Sequence, residues 1–273
     1  MKIVVFDLDE TLGYFTQYGV FWDSLLNYVK VRKKSELKQK DFDAVLDLYP
    51  EFLRPNIINI LSYLKVKKRS NCCSKMMIYT NNTGPREWAR HIVNYFEGKI
   101  DFKLIDQIIG AFKINGKRVE ICRTSQNKSH NDLIKCTKIP IDAEICFIDD
   151  CLYPEMEHDN IYYINIKPYY YDLDFEYMLS VFKQSNIGKS IINDDNDFDT
   201  LMNEHIKLFK YSYVPKDPKE YEVDKILGKH IVSHLHTFFN RSNKNRTIKN
   251  RGNRSNKRNK SMKKLNQVSL YGF

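Results

Sequence analysis

Short apolar runs that alternate with amphipathic stretches constrain the fold of this 273-residue chain more than any other feature. The runs read as strands, and two of them are apolar throughout, which is typical of strands buried on both faces. Strands that alternate with helices predict an α/β fold, with a Rossmann-like parallel sheet and helices on both faces. The predicted strands are Ile3–Phe6, Met76–Tyr79, Ile145–Ile148 and Ile161–Ile166, and the predicted helices are Phe21–Val31, Asp41–Leu48, Pro55–Lys65, Pro85–Phe96 and His130–Cys136.

The distribution of charge separates a body from a tail. The formal net charge is +10, yet all 34 acidic residues precede Lys225, and the remainder of the chain carries 13 of the 44 basic residues. The stretch from Asn240 to Lys264 is mostly Asn, Lys, Arg and Ser, with too few apolar side chains to offset the entropy of ordering. We therefore predict a basic disordered tail at 240–273. Its composition suits a nucleic-acid-binding arm, a nuclear-import signal or a solvated tail without a partner.

Between the body and the tail, helical patterns at Asp197–Phe209 and Lys219–Phe239 predict a helical extension over 171–239. The pattern leaves open whether these helices pack on the core or form a small C-terminal appendage.

Nothing in the sequence suggests a membrane or a secretory route. There is no apolar run of the roughly eighteen residues that a membrane span needs, and the N-terminus lacks a secretory signal. The six cysteines show neither a CxxC pair nor zinc-site spacing, so we interpret them as thiols in a reducing compartment. These features predict an intracellular protein, cytoplasmic or nuclear.

Three of the predicted strands end in polar residues of the kind that phosphoryl transfer requires. Ligands of parallel sheets bind outside the carboxyl ends of the strands, so these residues are expected to share one site. Alternation along the chain places Asp7 and Asp9 on the same side, as two carboxylates that a divalent cation could bridge. The three strand ends are Asp7-Leu8-Asp9-Glu10-Thr11, Thr80-Asn81-Asn82 and Asp149-Asp150.

The order of these motifs resembles the haloacid dehalogenase superfamily over about residues 1–170. DLDET, a strand-ending Thr, a Lys and a strand-ending acidic pair follow one another as the family's four motifs do. Glu10, where many members have Gly, and the segment Phe52-Leu53-Arg54-Pro55 are similar to the branch that contains the RNA polymerase C-terminal-domain phosphatases. The resemblance implies a phosphatase domain at 1–170. The intervals between motifs leave room for a minimal cap, and the stretch from Thr11 to Arg54 reads as helical.

The resemblance also implies a reaction and a role for each motif residue. Asp7 would be the nucleophile that forms an aspartyl-phosphate, and Asp9 would be the general acid and base. Thr80 and Lys128 would contact the phosphoryl oxygens and offset their charge. Asn81 either lines the phosphate site or serves the turn.

Magnesium is the cofactor that the resemblance implies. It would be held by Asp7, the backbone carbonyl of Asp9 and the acidic pair, with Asp150 as the direct ligand and Asp149 as its neighbour.

The lysine of the third motif is ambiguous in the sequence. Lys128 is preferred because it lies upstream of Asp132-Leu133 and before the strand that ends at Asp149, while Lys135 and Lys138 remain alternatives.

A site with a minimal cap suits a phosphorylated macromolecule better than a small metabolite, which is usually enclosed. The first hypothesis is hydrolysis of phosphoserine or phosphothreonine in a protein. The second is removal of a terminal (3′) phosphate from a nucleic acid, which the basic tail would contact. The third is a catalytically silent binding module, although a scaffold needs neither carboxylate pair.

Overall fold

A parallel β-sheet forms the centre of the computed structural model, which describes residues 1–33, 35–241 and 267–270. Its strands are β1 Lys2–Phe6, β2 Lys75–Tyr79, β3 Gln107–Ile109, β6 Glu144–Asp149, β7 Ile161–Ile166 and β8 Gln267–Leu270, and a separate antiparallel hairpin pairs β4 Lys113–Ile114 with β5 Lys117–Arg118. The sheet order is β3-β2-β1-β6-β7-β8, and all neighbours are parallel. The predicted α/β fold is confirmed.

Helices cover both faces of this sheet. Each predicted helix is present, with its ends shifted by a few residues. The third begins at Ile57 rather than at Pro55, because Asn56 has a left-handed backbone with φ of 70°. Within the described residues, no helix is long and apolar enough to cross a membrane. The helices are α1 Thr16–Lys33, α2 Gln39–Leu46, α3 Ile57–Arg69, α4 Arg86–Ile100, α5 His130–Thr137, α6 Phe175–Gln184, α7 Asn186–Ile191, α8 Asp195–Leu208 and α9 Pro218–Asn240.

The position of β1 in the sheet explains why its run Ile3–Phe6 is apolar throughout. Val4 and Phe6 are buried in the larger of two apolar cores, whereas Ile3 and Val5 are buried in the smaller one. Successive side chains of a strand point to opposite faces, so a strand with a core on each side needs an apolar residue at every position.

The helices of 171–239 extend the core of the sheet, which answers the question that the sequence left open. Phe182 of α6, Phe198 of α8 and Leu235 of α9 are buried in the cluster that also contains Phe6. The segment between β1 and α3 is helical, as predicted, and Phe42 of α2 is buried in the same cluster. Both helical segments therefore pack beside the sheet.

The prediction that all six cysteines are thiols is wrong. Cys122 and Cys136 form a disulfide, with their Cα atoms 5.0 Å apart and a sequence separation of 14 residues. Their proximity arises from the tertiary fold, which brings the segment after β5 beside the end of α5. Spacing rules for CxxC pairs cannot detect such a contact. The other four cysteines are free thiols.

Part of the prediction of a disordered tail is also wrong. Gln267–Leu270 forms β8, which pairs with β7 from Tyr163 to Ile166. The prediction weighed the Asn, Lys, Arg and Ser content of 240–264, most of which lies outside the described residues. It overlooked that β7 offers an edge of unpaired backbone groups to any short strand-forming segment.

Gly228 of α9 lies against the segment that precedes α3. A Cβ atom at this position would lie 2.3 Å from the carbonyl oxygen of Pro55. Gly228→Ala is therefore expected to lower the free energy of unfolding by about 1–3 kcal/mol through overpacking, as measured by urea denaturation. Gly98→Ala in α4 is the matched control, because among the described residues no atom apart from its chain neighbours and the backbone of its own helix lies within 4 Å of the added Cβ. It should raise stability by up to about 1 kcal/mol. Similar effects of the two changes would contradict the close approach.

Candidate active site

A polar cavity of about 300 Å³ lies at the carboxyl ends of β1, β2 and β6. β2 and β3 lie on one side of β1, and β6 and β7 lie on the other side. The strand order therefore reverses at this edge of the sheet. Every residue that the sequence assigned to the site lines this cavity. Its lining residues are Asp7, Asp9, Glu10, Thr16, Thr80, Asn81, Asn82, Thr83, Lys128, Asp149, Asp150, Cys151 and Tyr153.

Asp7 and Lys128 form the buried centre of the site. Asp7 directly follows β1, and its backbone amide donates to the carbonyl of Ile148 at 2.9 Å. The Lys128 ammonium is 1% exposed and donates both to Asp7 and to Asp149, to the latter at 2.6 Å. Burial raises the pKa of Asp7, and the Lys128 charge opposes this rise. In return, the two carboxylates raise the pKa of Lys128 against the effect of its own burial.

The structure places Lys128 in the cavity, whereas Lys135 and Lys138 are exposed on α5 and at its end. Lys128 is positioned by the start of α5. The next residue, Ser129, caps this helix, and its hydroxyl accepts a hydrogen bond from the Asp132 amide at 3.2 Å.

Asp9 lies on the loop that follows β1 and is held by the turn that follows β2. Its Oδ2 accepts a hydrogen bond from Nδ2 of Asn82 at 2.8 Å. Burial, together with the charges of Asp7 and Glu10, raises the pKa of Asp9 to about 7, and the Asn82 bond acts in the opposite direction. A carboxyl group with this pKa can both give and take a proton near neutral pH.

The end of β6 supplies two carboxylates in different surroundings. Asp149 is paired with Lys128, and burial raises its pKa to about 8 although Lys128 opposes this. Asp150 accepts a hydrogen bond from the Thr11 hydroxyl at 3.0 Å. Carboxylate oxygens of both residues and Sγ of Cys151 all lie within 4.8 Å of one another. The amide of Asn165 fixes this loop, because it donates to the backbone carbonyls of Asp149 and Asp150, each at 3.1 Å.

Thr80 and Asn81 face the same cavity at the end of β2. Thr80 is 2% exposed, and its hydroxyl accepts a hydrogen bond from the amide of Asn82 at 3.0 Å. Asn81 donates from Nδ2 to the Tyr153 hydroxyl at 3.0 Å. Its Oδ1 is buried and makes no hydrogen bond within the described part of the chain.

The charges around the cavity fit a divalent cation. Five carboxyl groups line it, and Lys128 is the one cationic side chain among its described lining residues. Carboxylate oxygens are the ligands that Mg²⁺ prefers, and a bound cation would offset their repulsion. Since Asp149 is already paired with Lys128, Asp150 is the better candidate for a direct ligand of the pair.

Two buried arginines, to which the sequence pattern gives no role, support the site. Arg54 is 1% exposed and donates from Nε to the Thr11 carbonyl at 2.6 Å and from Nη2 to the carbonyls of Glu10 and Lys167, which fixes the loop that follows β1. Arg123 performs a similar task on the other side of the site. Its Nη1 donates to the carbonyls of Thr80 and Gly110 at 3.1 and 2.8 Å.

Without a divalent cation, the protein is expected to lose stability as pH rises from about 5 to about 8. Burial raises the pKa of Asp9 to about 7 and that of Glu10 to about 6, from ordinary values of 3.8 and 4.5. Between the ordinary and the raised pKa of each group, the folded protein binds more protons than the unfolded chain. The free energy of unfolding therefore falls with rising pH. Melting temperatures in EDTA at the two ends of this range measure the slope. The double variant Asp9→Asn/Glu10→Gln should make the slope shallower, with Asp149, whose pKa burial raises to about 8, still contributing. An equal slope in that variant would contradict the assignment.

A scan against protein-family models gives no match for this chain, and a search of curated proteins gives no significant match.

Proposed function

We propose that the protein is a magnesium-dependent phosphatase that hydrolyses phosphomonoesters through an aspartyl-phosphate on Asp7. The observation that carries the proposal is the contact of one buried ammonium, that of Lys128, with Asp7 and Asp149. Asp9 lies beside this group and has a raised pKa. A nucleophilic carboxylate, an acid that can transfer protons and a fixed cation are the parts that phosphoryl transfer through a carboxylate requires.

In the first step, a carboxylate oxygen of Asp7 forms a bond to phosphorus while the bond between phosphorus and the leaving oxygen breaks. Asp9 donates its proton to the leaving oxygen, so the product departs as an alcohol. The ammonium of Lys128 and the hydroxyl of Thr80 offset the charge on the remaining phosphoryl oxygens.

In the second step, a water oxygen attacks phosphorus, Asp9 takes the water proton, and the bond to Asp7 breaks to release phosphate. A bound Mg²⁺, held by Asp7, the Asp9 backbone carbonyl and Asp150, would neutralise negative charge on the nucleophile and on the phosphoryl group.

The substrate that we propose is phosphoserine or phosphothreonine in a protein. Cys151 and Thr83 line the cavity and are exposed, so the site is open to solvent on their side. A phosphate carried on a larger molecule could enter from this side, whereas small metabolites are usually enclosed.

The test compares three substrates with the wild-type protein, each in Mg²⁺ and in EDTA: para-nitrophenyl phosphate, a phosphoserine peptide and an oligonucleotide with a 3′-phosphate. We expect hydrolysis of the first two to require Mg²⁺ and the peptide to be turned over faster than the oligonucleotide.

Two other results would change the proposal, the first its substrate and the second the activity itself. Turnover of the oligonucleotide but of no phosphopeptide, with a rate that falls steeply with salt, would replace the protein substrate by a nucleic-acid end. Absence of turnover of all three by the folded wild type, with or without Mg²⁺, would overturn the phosphatase and leave a binding module.

A further inference from the structure

Asn82 holds the Asp9 carboxyl group in one orientation. Its Nδ2 donates to Oδ2 of Asp9 at 2.8 Å, and its Oδ1 accepts from the backbone amide of Gly84 at 2.9 Å. A backbone amide can only donate, so the Gly84 contact fixes which end of the Asn82 side chain is the oxygen. The NH2 group must therefore face Asp9.

The backbone of Asn82 is fixed as well. Its amide donates to the Thr80 hydroxyl at 3.0 Å, which ties the residue to the end of β2. Asp9 lies on the separate loop that follows β1, and the Asn82 bond to it joins residues 73 positions apart in the chain. Local turn formation explains the contacts with Thr80 and Gly84, but it does not explain the contact with Asp9.

This bond determines which carboxyl oxygen of Asp9 carries a proton. In a neutral carboxyl group the carbonyl oxygen is the better hydrogen-bond acceptor, so the bond from Asn82 favours Oδ2 as the carbonyl oxygen. The proton of a neutral Asp9 is therefore favoured on Oδ1, the oxygen that Asn82 does not contact.

We propose that Asn82 is a positioning residue for proton transfer, which presents Oδ1 of Asp9 to the leaving group of the substrate. This inference rests on the proposed phosphatase activity. It assigns no contact between Asn82 and the phosphoryl group. The decrease in kcat/KM on removal of Asn82 should therefore be larger for leaving groups that are more basic.

A series of aryl phosphates with increasingly basic leaving phenols tests the proposal, with kcat/KM measured in Mg²⁺. Nitrophenolate leaves without a proton, whereas basic phenolates need one. In Asn82→Ala and Asn82→Asp we expect little change for para-nitrophenyl phosphate and an additional loss of about tenfold to a hundredfold for the most basic phenol. The dependence of kcat/KM on leaving-group basicity should therefore become steeper.

The two variants separate positioning from turn structure. Asn82→Asp keeps an oxygen for the Gly84 amide and replaces the donor to Asp9 by a carboxylate oxygen, whereas Asn82→Ala loses both contacts. Thr83→Asp is the control for charge, because it adds a carboxylate to the cavity lining and keeps the Asn82 bond. It should lower kcat/KM for all the phenols equally, and melting curves verify that each variant is folded.

An equal loss on every phenol in both Asn82 variants would overturn the positioning role while leaving the phosphatase intact. Absence of turnover of the whole series by the wild type would remove the proposed activity and this inference together.

Discussion

Asp7→Asn is expected to lower kcat for para-nitrophenyl phosphate in Mg²⁺ by at least about a thousandfold, because loss of a covalent nucleophile costs this much or more in other hydrolases. The amide of asparagine carries no negative charge and is a poor nucleophile, so the bond to phosphorus does not form. The variant should also fail to incorporate the hydroxylamine-sensitive phosphate that marks an aspartyl-phosphate in the wild type.

The fold is expected to survive this change. Lys128 keeps Asp149 as a partner at 2.6 Å, and the substitution removes a carboxylate whose burial already disfavours its charged form. Asp106→Asn is a suitable control, because Asp106 also pairs with a lysine, Lys68 at 2.8 Å, but lies outside the cavity lining. Activity that persists in Asp7→Asn and falls in Asp106→Asn would mean that the nucleophile is a different residue.

The parts of the site that the sequence predicts are those whose position follows from a strand. Asp7, Thr80 and Asp149 come at or directly after the ends of β1, β2 and β6, and parallel strands bring their carboxyl ends to one edge. The residues could therefore be placed together once the strands were recognised. The apolar runs of these strands were easy to recognise because both faces of the sheet are covered.

The lysine was harder to identify because it belongs to no strand. The sequence offers three candidates, which lie before α5, within it and at its end, and only the tertiary fold shows which of them reaches the carboxylates. Ser129 caps α5, and the residue just before it, Lys128, contacts Asp7 and Asp149.

Asn82 and the buried arginines were missed for a different reason. Asn81 and Asn82 are equivalent in a sequence pattern, and the turn geometry after β2 decides which of them meets Asp9. Arg54 bonds to carbonyls that are 43 to 113 residues away, and a charged residue usually indicates an exposed position. Contacts of this kind, like the disulfide, have no local pattern and follow from the fold.

Lys128→Met is expected to lower kcat/KM by about a hundredfold to a thousandfold, the effect of losing one preorganised charge at a phosphoryl or oxyanion site. The same change leaves the buried carboxylates of Asp7 and Asp149 without their cation. In EDTA, near pH 8, the free energy of unfolding should therefore fall by about 3–5 kcal/mol. The loss should be smaller near pH 5, because the carboxylates then take up protons, which burial favours.

Lys135→Met and Lys138→Met are matched controls, because they remove the same charge from exposed positions on α5 and at its end. Neither change should alter the pH dependence of stability or lower kcat/KM more than about twofold, since exposed charges contribute little. Mg²⁺ should restore part of the stability of Lys128→Met, because a bound cation replaces part of the missing positive charge. It should restore little of the activity, because the proposed mechanism also uses the Lys128 ammonium to offset charge on the phosphoryl oxygens. If Lys135→Met or Lys138→Met lost activity while Lys128→Met kept it, the lysine removed in the inactive variant would be the catalytic one.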